Sequence, residues 1–138
     1  MINQNPEQIA RDNIDKQLNA CGWIIQDKKR LNLAQGIGVA VREYSTEVGP
    51  ADYVLFVNQK PVGVIEAKRE EEGVKFSVHE SQVEEYANAK LKLIDNLPLP
   101  FLYLSTGAIT KFTDTRDPNP RYREVFTFHR PETLAKWI

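Results

Sequence analysis

Two short apolar runs, Val54-Leu55-Phe56-Val57 and Val62-Gly63-Val64-Ile65, flank the tetrapeptide Asn58-Gln59-Lys60-Pro61. Strand-favouring residues on both sides of a turn-forming segment specify a β-hairpin. Folded about Gln59, its facing positions sum to about 118, which sets Asp52 opposite Glu66. Side chains facing each other in such a ladder have Cβ atoms roughly 5 Å apart, and like charges there repel. Two carboxylates held that close call for a cation. Strand alternation puts Lys68 on the face of Glu66, two residues further on. Two acids and an amine converging on one patch make a divalent-metal site with a positive charge beside it, which is equipment for attacking a phosphodiester. The plainer alternative is a solvent-facing salt-bridge cluster, which contributes little to stability. The apolar neighbours on the same face argue against it.

The hairpin also constrains the architecture. Val54, Phe56, Val62 and Val64 are expected to share one face with Asp52, and Tyr53, Leu55 and Ile65 the other. A sheet that is apolar on both faces needs helices above and below it. The chain supplies them in the order helix, three strands, helix, then more strands. Asn5-Pro6-Glu7-Gln8 opens the first helix with an Asn cap and Pro at the first helical position. Ile14, Leu18 and Cys21 recur at helical spacing, and Gly22 ends it. Trp23-Ile24-Ile25 leads into a basic segment, Lys28-Lys29-Arg30, and residues 36–44 read as the first strand. Ser77 with Glu80 forms a capping box for a helix over 78–94, after the solvated loop Arg69-Glu70-Glu71-Glu72-Gly73. Strands are expected over 101–104, 109–113 and 125–128, followed by a short helix begun by Pro131. The predicted fold class is α/β, with a mixed central sheet flanked by helices.

At 138 residues, without repeats or a linker, residues 1–138 read as a single domain large enough to bury a core. Two large apolar residues close the chain at Trp137-Ile138, so it reads as a fragment of a longer polypeptide or an end that docks on its own domain. The formal net charge of −1 gives no global field for a polyanion, so nucleic-acid contacts must come from a local patch. Lys28-Lys29-Arg30, Arg116, Arg121 and Arg123 are candidates, although such runs are most often solvated surface. The single cysteine, Cys21, lies on an apolar helix stripe and reads as a small core residue in a reducing compartment. No apolar stretch approaches the roughly 20 residues of a membrane span, and the N-terminus lacks signal-peptide features. A cytoplasmic location is expected.

Within the second helix, Gln82 and Tyr86 lie four apart and share a face, while Val83, Ala87, Leu91 and Ile94 form a separate packing stripe. Gln82 and Tyr86 are thus available to hydrogen-bond a phosphate or a catalytic carboxylate. His79, near the helix start, reads as solvated and is left out of the site.

Gly49-Pro50-Ala51-Asp52-Tyr53 with Val64-Ile65-Glu66-Ala67-Lys68 resembles the PD-(D/E)xK nuclease motif, and Gln82-Val83-Glu84-Glu85-Tyr86 resembles the QxxxY motif of one branch. Ile14-Asp15 and Ala20-Cys21-Gly22-Trp23 are similar to the same branch. That branch is the N-terminal endonuclease domain of the restriction (R, motor) subunit of type I restriction-modification enzymes. The resemblance runs from 7 to about 104 and more loosely beyond. It departs from the literal pattern in one place, since Ala51 separates Pro50 from Asp52.

The resemblance implies a restriction-endonuclease-like α/β/α core and an Mg²⁺-dependent DNA endonuclease, a type I site-specific deoxyribonuclease. It implies that Asp52, Glu66 and the Ala67 backbone carbonyl ligate Mg²⁺. Lys68 would orient the attacking water or stabilise transition-state charge, and Gln82 and Tyr86 would position phosphate or brace the acids. Glu7 is a further candidate, since related nucleases sometimes use an acid from this helix; a Glu7–Arg11 surface pair accounts for it equally well. The implied partners are double-stranded DNA and the methyltransferase and specificity subunits of a restriction-modification complex. The chain has no GxxxxGK[ST], so ATP would act only through motor domains absent from it. Two alternatives stand beside this reading: a catalytically silent nuclease-fold domain serving DNA binding or subunit docking, and a stand-alone resolvase-type nuclease.

Overall fold

The computed structural model describes residues 5–68, 88 and 98–138. Among these residues the chain forms helix α1 (Pro6–Ala20), strands β1 (Ile24–Asp27), β2 (Gly38–Thr46), β3 (Gly49–Val57), β4 (Lys60–Ala67), β5 (Phe101–Ser105), β6 (Thr110–Asp114) and β7 (Arg123–Val125), and helix α2 (Pro131–Trp137). The strands make one mixed seven-stranded sheet in sequence order. β1–β2 and β4–β5 pair in parallel, and the other neighbours are antiparallel. This is the α/β fold that the apolar two-faced hairpin requires. The helix expected over 78–94 lies outside the described residues except for Asn88, which is helical.

α1 begins as its sequence dictates. Asn5 Oδ1 accepts from the Glu7 amide at 2.8 Å, Pro6 fills the first turn, and Gly22 leaves the helix at φ +94°. Its inward stripe of Ala10, Ile14 and Leu18 is buried. Ile14 and Leu18 pack with Tyr53, Leu55, Ile65, Phe101, Tyr103 and Leu134 of α2 in one core cluster. The opposite face gathers Val39, Val41, Val54, Phe56, Val64, Leu102 and Leu104. Fully burying a side chain of this size contributes about 1.5–3 kcal/mol. Cys21 is a buried core thiol, as expected, and donates to the Phe128 carbonyl oxygen at 3.2 Å.

The hairpin register matches the sequence reading where it matters and departs from it near the turn. Tyr53↔Ile65, Val54↔Val64 and Leu55↔Gly63 pair as expected, but Phe56 faces Pro61 and Val57 faces Lys60. The turn is the two-residue Asn58-Gln59, both at positive φ, which matches the right-handed strand twist. The resulting bulge moves Val62 to the Tyr53–Leu55–Ile65 side, not the Val64 side expected from plain alternation. A second break lies at the other end of β3. Ala51 packs with Val54 and Phe56, which period-2 alternation forbids. The cross-strand pairs Arg42↔Tyr53 and Tyr44↔Ala51 bracket Glu43 and Asp52, and Glu43 adopts φ +53°. A non-glycine residue in that region marks local strain, and here it resets the pleat beside Asp52.

Two elements differ from expectation. β1 was not foreseen as a strand: it is four residues long, and its buried Gln26 interrupts the apolar signal. Gln26 instead pins the following loop, donating to the Asn32 carbonyl oxygen and Gln35 Oε1 and accepting from the Asn32 amide. The strand expected over 125–128 is Arg123–Val125, with Phe126 fully exposed and Phe128 buried against Tyr103 outside the sheet. Trp137 at the chain end stacks edge-on with His129 at 4.9 Å.

The β4–β5 pair is closely fitted at Gly63. A Cβ there would stand 2.7 Å from the Phe101 carbonyl oxygen, a backbone atom that cannot step aside. Gly63→Ala is therefore expected to lower unfolding free energy by about 1–3 kcal/mol, measured by urea denaturation.

Candidate active site

The site forms where the β3–β4 ladder ends. The last backbone pair is Tyr53↔Ile65, and the Asp52 side chain then takes over the pairing role, its Oδ2 accepting from the Ala67 amide at 2.8 Å. Its Oδ1 accepts from Arg11 Nη2 at 2.7 Å, and only 10% of the side chain is exposed. Glu66 is 6% exposed. Its Oε1 lies 3.9 Å from Lys68 Nζ, and its Oε2 is buried with no hydrogen-bond partner among the described residues. Lys68 follows the end of β4, where its amide donates to the Ser105 carbonyl oxygen at 2.9 Å. The Ala67 carbonyl stands between these two side chains in the backbone. Asp52, Glu66 and Lys68, with Ala67, are thus brought together. Gln82 and Tyr86 lie outside the described residues. Glu7 is exposed on the first turn of α1.

Burial, first, raises the Glu66 carboxyl well above its ordinary 4.5. The charge of Asp52 and a hydrogen bond to it push the same way, while Lys68 and Arg11 pull back without prevailing. Without a cation, Glu66 therefore holds its proton well beyond the ordinary carboxylate range. Once ionised, Glu66 has no donor for Oε2 among the described residues, and an oxygen of this kind suits a hard cation. Among the described residues no group of three or more His, Cys, Asp or Glu forms a cage. Two carboxylates fit Mg²⁺ nonetheless, because that ion usually keeps several waters and takes only one or two protein carboxylates.

Sequence reasoning missed Arg11, which it paired with Glu7 on the surface. The structure instead gives Arg11 to Asp52, with Glu43 Oε1 at 3.8 Å from Nη1. Burial works to lower its pKa, but the charge and hydrogen bond of Asp52 leave it raised, so it stays a cation. The signal was present: Arg11 lies on the stripe of Ile14 and Leu18, and a charge on a buried stripe needs a buried partner. Tyr53 locks the same helix down, donating to Asp15 Oδ1 at 2.6 Å with the Arg11 carbonyl oxygen 3.1 Å away. Arg42 braces Asp15 and Asp27 at 3.2 and 3.0 Å.

Beside Arg42 and Glu43, the basic segment Lys28-Lys29-Arg30 lines an open cavity of about 360 Å³. A neighbouring cavity of about 150 Å³ shares Asp27, Arg42 and Glu43 with it and reaches Arg11 and Asp52. Arg116 is engaged elsewhere, paired with Asp114 at 2.8 Å and lying over the Phe101 ring.

Residues 25–100, more than half of the chain, match the family model described as the type I restriction enzyme EcoKI endonuclease subunit second domain. The chain belongs to this family. It is 38% identical over 87 residues to the type I restriction enzyme EcoKI endonuclease subunit of Escherichia coli (strain K12), a match covering 54% of this chain and 7% of that protein. Among solved structures, a fragment assigned to an HsdR subunit of a type I restriction enzyme from Vibrio vulnificus YJ016 superposes with TM-score 0.67 at 20% identity, covering 99% of this chain and 25% of that one. The type IIG restriction endonuclease BpuSI matches with TM-score 0.53 at 19% identity, covering 82% of this chain and 12% of that one. These two likenesses bear on the fold of this type I restriction endonuclease-subunit domain.

The buried Glu66 gives the domain a pH signature. Its folded pKa lies above the unfolded value, so above about pH 4.5 the unfolded chain releases a proton that the folded one keeps. In chelator, stability is expected to fall as pH rises from there, by at most about 1.4 kcal/mol per pH unit. Glu66→Gln removes this component. Urea denaturation at pH 5 and pH 7.5 should find the variant gaining on the wild type at the higher pH.

Proposed function

We propose that this domain is an Mg²⁺-dependent DNA endonuclease of the PD-(D/E)xK superfamily, acting as the nuclease part of a type I restriction enzyme's restriction subunit. The observation that carries the reading is the buried Glu66 carboxyl, with its unpartnered Oε2, beside Asp52 and 3.9 Å from Lys68. A solvated salt-bridge cluster would keep its charges in water, whereas Glu66 is buried and the Asp52 side chain only 10% exposed, where desolvating charge is costly even when it is paired.

Mg²⁺, when bound, supplies an activated water and offsets charge on the scissile phosphate. Asp52 and Glu66 would hold it, with the Ala67 carbonyl a further oxygen donor. The Asp52 carboxylate is oriented by Arg11 and the Ala67 amide. Lys68 places an ammonium at the same patch, suited to orienting the attacking water or stabilising charge that grows on the phosphorus oxygens. Gln82 and Tyr86 are proposed to position phosphate or brace the acids. Among the described residues, Glu7 bears on the site through its charge, the smallest of the effects that raise Arg11. The basic cavity at Lys28–Arg30 suits approach of a phosphate backbone, a contact that carries no base preference.

The chain spans 7% of the EcoKI subunit it matches. For the whole enzyme we propose ATP-driven motor domains elsewhere in the polypeptide, with methyltransferase and specificity subunits choosing the sequence. No helix among the described residues is long and apolar enough to cross a membrane. We place the enzyme in the cytoplasm with its DNA.

Nicking of supercoiled plasmid with Mg²⁺ tests the reading. Asp52→Ala is expected to abolish cleavage, and Lys68→Ala to lower its rate about 10²–10³-fold, with both variants retaining the wild-type circular dichroism. Because the domain can lack its motor in such an assay, Mn²⁺ binding by calorimetry accompanies it. Binding unchanged in Asp52→Asn and in Glu66→Gln would remove these acids as ligands.

A further inference from the structure

We propose that Arg11 is an internal counter-ion that competes with the divalent cation for Asp52, so that the site loads its metal tightly only when a phosphate backbone is present. The inference rests on Asp52 and Glu66 being the cation's ligands and deepens that reading. Arg11 Nη2 lies 2.7 Å from Asp52 Oδ1, a charge-assisted contact with a side chain that is 10% exposed. α1 cannot easily withdraw it, since Ile14 and Leu18 are in the core and the Tyr53 hydroxyl clamps Asp15 one turn on. Lys68 stands 3.9 Å from Glu66 on the other side.

With both acids ionised, each therefore already has a cationic side chain at hand. These four charges cancel, so this group of described side chains offers a divalent cation no net negative charge. Glu43, at 3.8 Å, draws on Arg11 too, but its side chain is 60% exposed and water screens most of that charge. A phosphodiester carries the missing negative charge. It can draw the guanidinium off Asp52 or offset it in place, and in either case the cation's affinity rises. Arg11 would thus be a positioning residue whose charge keeps the site poorly loaded until DNA arrives, limiting adventitious metal chemistry.

The measurement is Mn²⁺ affinity by calorimetry, with and without a short phosphorothioate duplex that resists cleavage. Wild type is expected to bind Mn²⁺ about ten-fold or more tightly when the duplex is present. Arg11→Gln is expected to bind Mn²⁺ about ten-fold or more tightly than wild type in the absence of DNA, with the duplex then adding little. Arg11→Lys, which keeps the charge, should stay close to wild type. In thermal melts, Arg11→Gln should unfold at lower temperature than wild type in chelator and recover more of its Tm on adding Mn²⁺. Should Arg11→Gln not fold, the duplex dependence in wild type and the Arg11→Lys value still decide. Equal Mn²⁺ affinity with and without duplex in wild type, or unchanged or weaker binding in a folded Arg11→Gln, overturns the proposal. Loss of Mn²⁺ binding in Asp52→Asn alongside no effect of Arg11→Gln would sink this inference while leaving the nuclease reading standing.

Discussion

A β-ladder that stops one residue short of two acids sets the terms for this domain. Beyond Tyr53↔Ile65 the backbone no longer pairs, and Asp52 completes the edge with its own carboxylate on the Ala67 amide. That single contact turns Asp52 from a side chain standing off the sheet into one lying along its end, beside Glu66. Everything polar nearby follows from the need to balance it. Arg11 comes from α1, Lys68 from the residue after β4, and Glu66 keeps a proton because burial leaves it no better option.

The rest of the fold holds this arrangement still. Parallel pairing of β4 with β5 fixes where β4 ends, with Ala67 beside Ser105 and Glu66 beside Leu104. Residue Glu43, in a left-handed conformation, breaks the pleat of β2 and β3 at the level of Asp52. Strain of this kind persists only when surrounding packing over-determines it. The surroundings here are the Tyr53–Asp15–Arg42 network on one side and Tyr44 with Ala51 in the core on the other. A helix tied to two consecutive strand residues, to Asp52 by a guanidinium and to Tyr53 by a carboxylate, cannot shift without disturbing the acids.

Similarity enters at two depths. The family match and the EcoKI relative share sequence and speak for kinship with a restriction endonuclease subunit. The Vibrio vulnificus and BpuSI structures, at 20% and 19% identity, speak for the architecture alone. What the domain does is argued from its own residues. Glu66, buried with an oxygen that has no partner among the described residues, beside the nearly buried Asp52, makes poor sense as a stabilising feature.

The sequence by itself determined the hairpin, its register from Tyr53↔Ile65 to Leu55↔Gly63, the α1 cap, the core placement of Cys21 and the α/β class. Each follows from local rules: alternation, turn composition, capping and apolar periodicity. Only the tertiary structure decided the rest. β1 exists because β2 offers it a parallel edge, and four residues with a buried Gln26 carry too weak a pattern to announce it. Val62 changes face because a tight two-residue turn forces a bulge, and Ala51 changes face because Glu43 resets the pleat. Arg11 looked like half of a surface pair with Glu7 because helical spacing reports neighbours along one helix and nothing across space. Its partner is 41 residues away in sequence, and only folding α1 onto the end of β3 could introduce them.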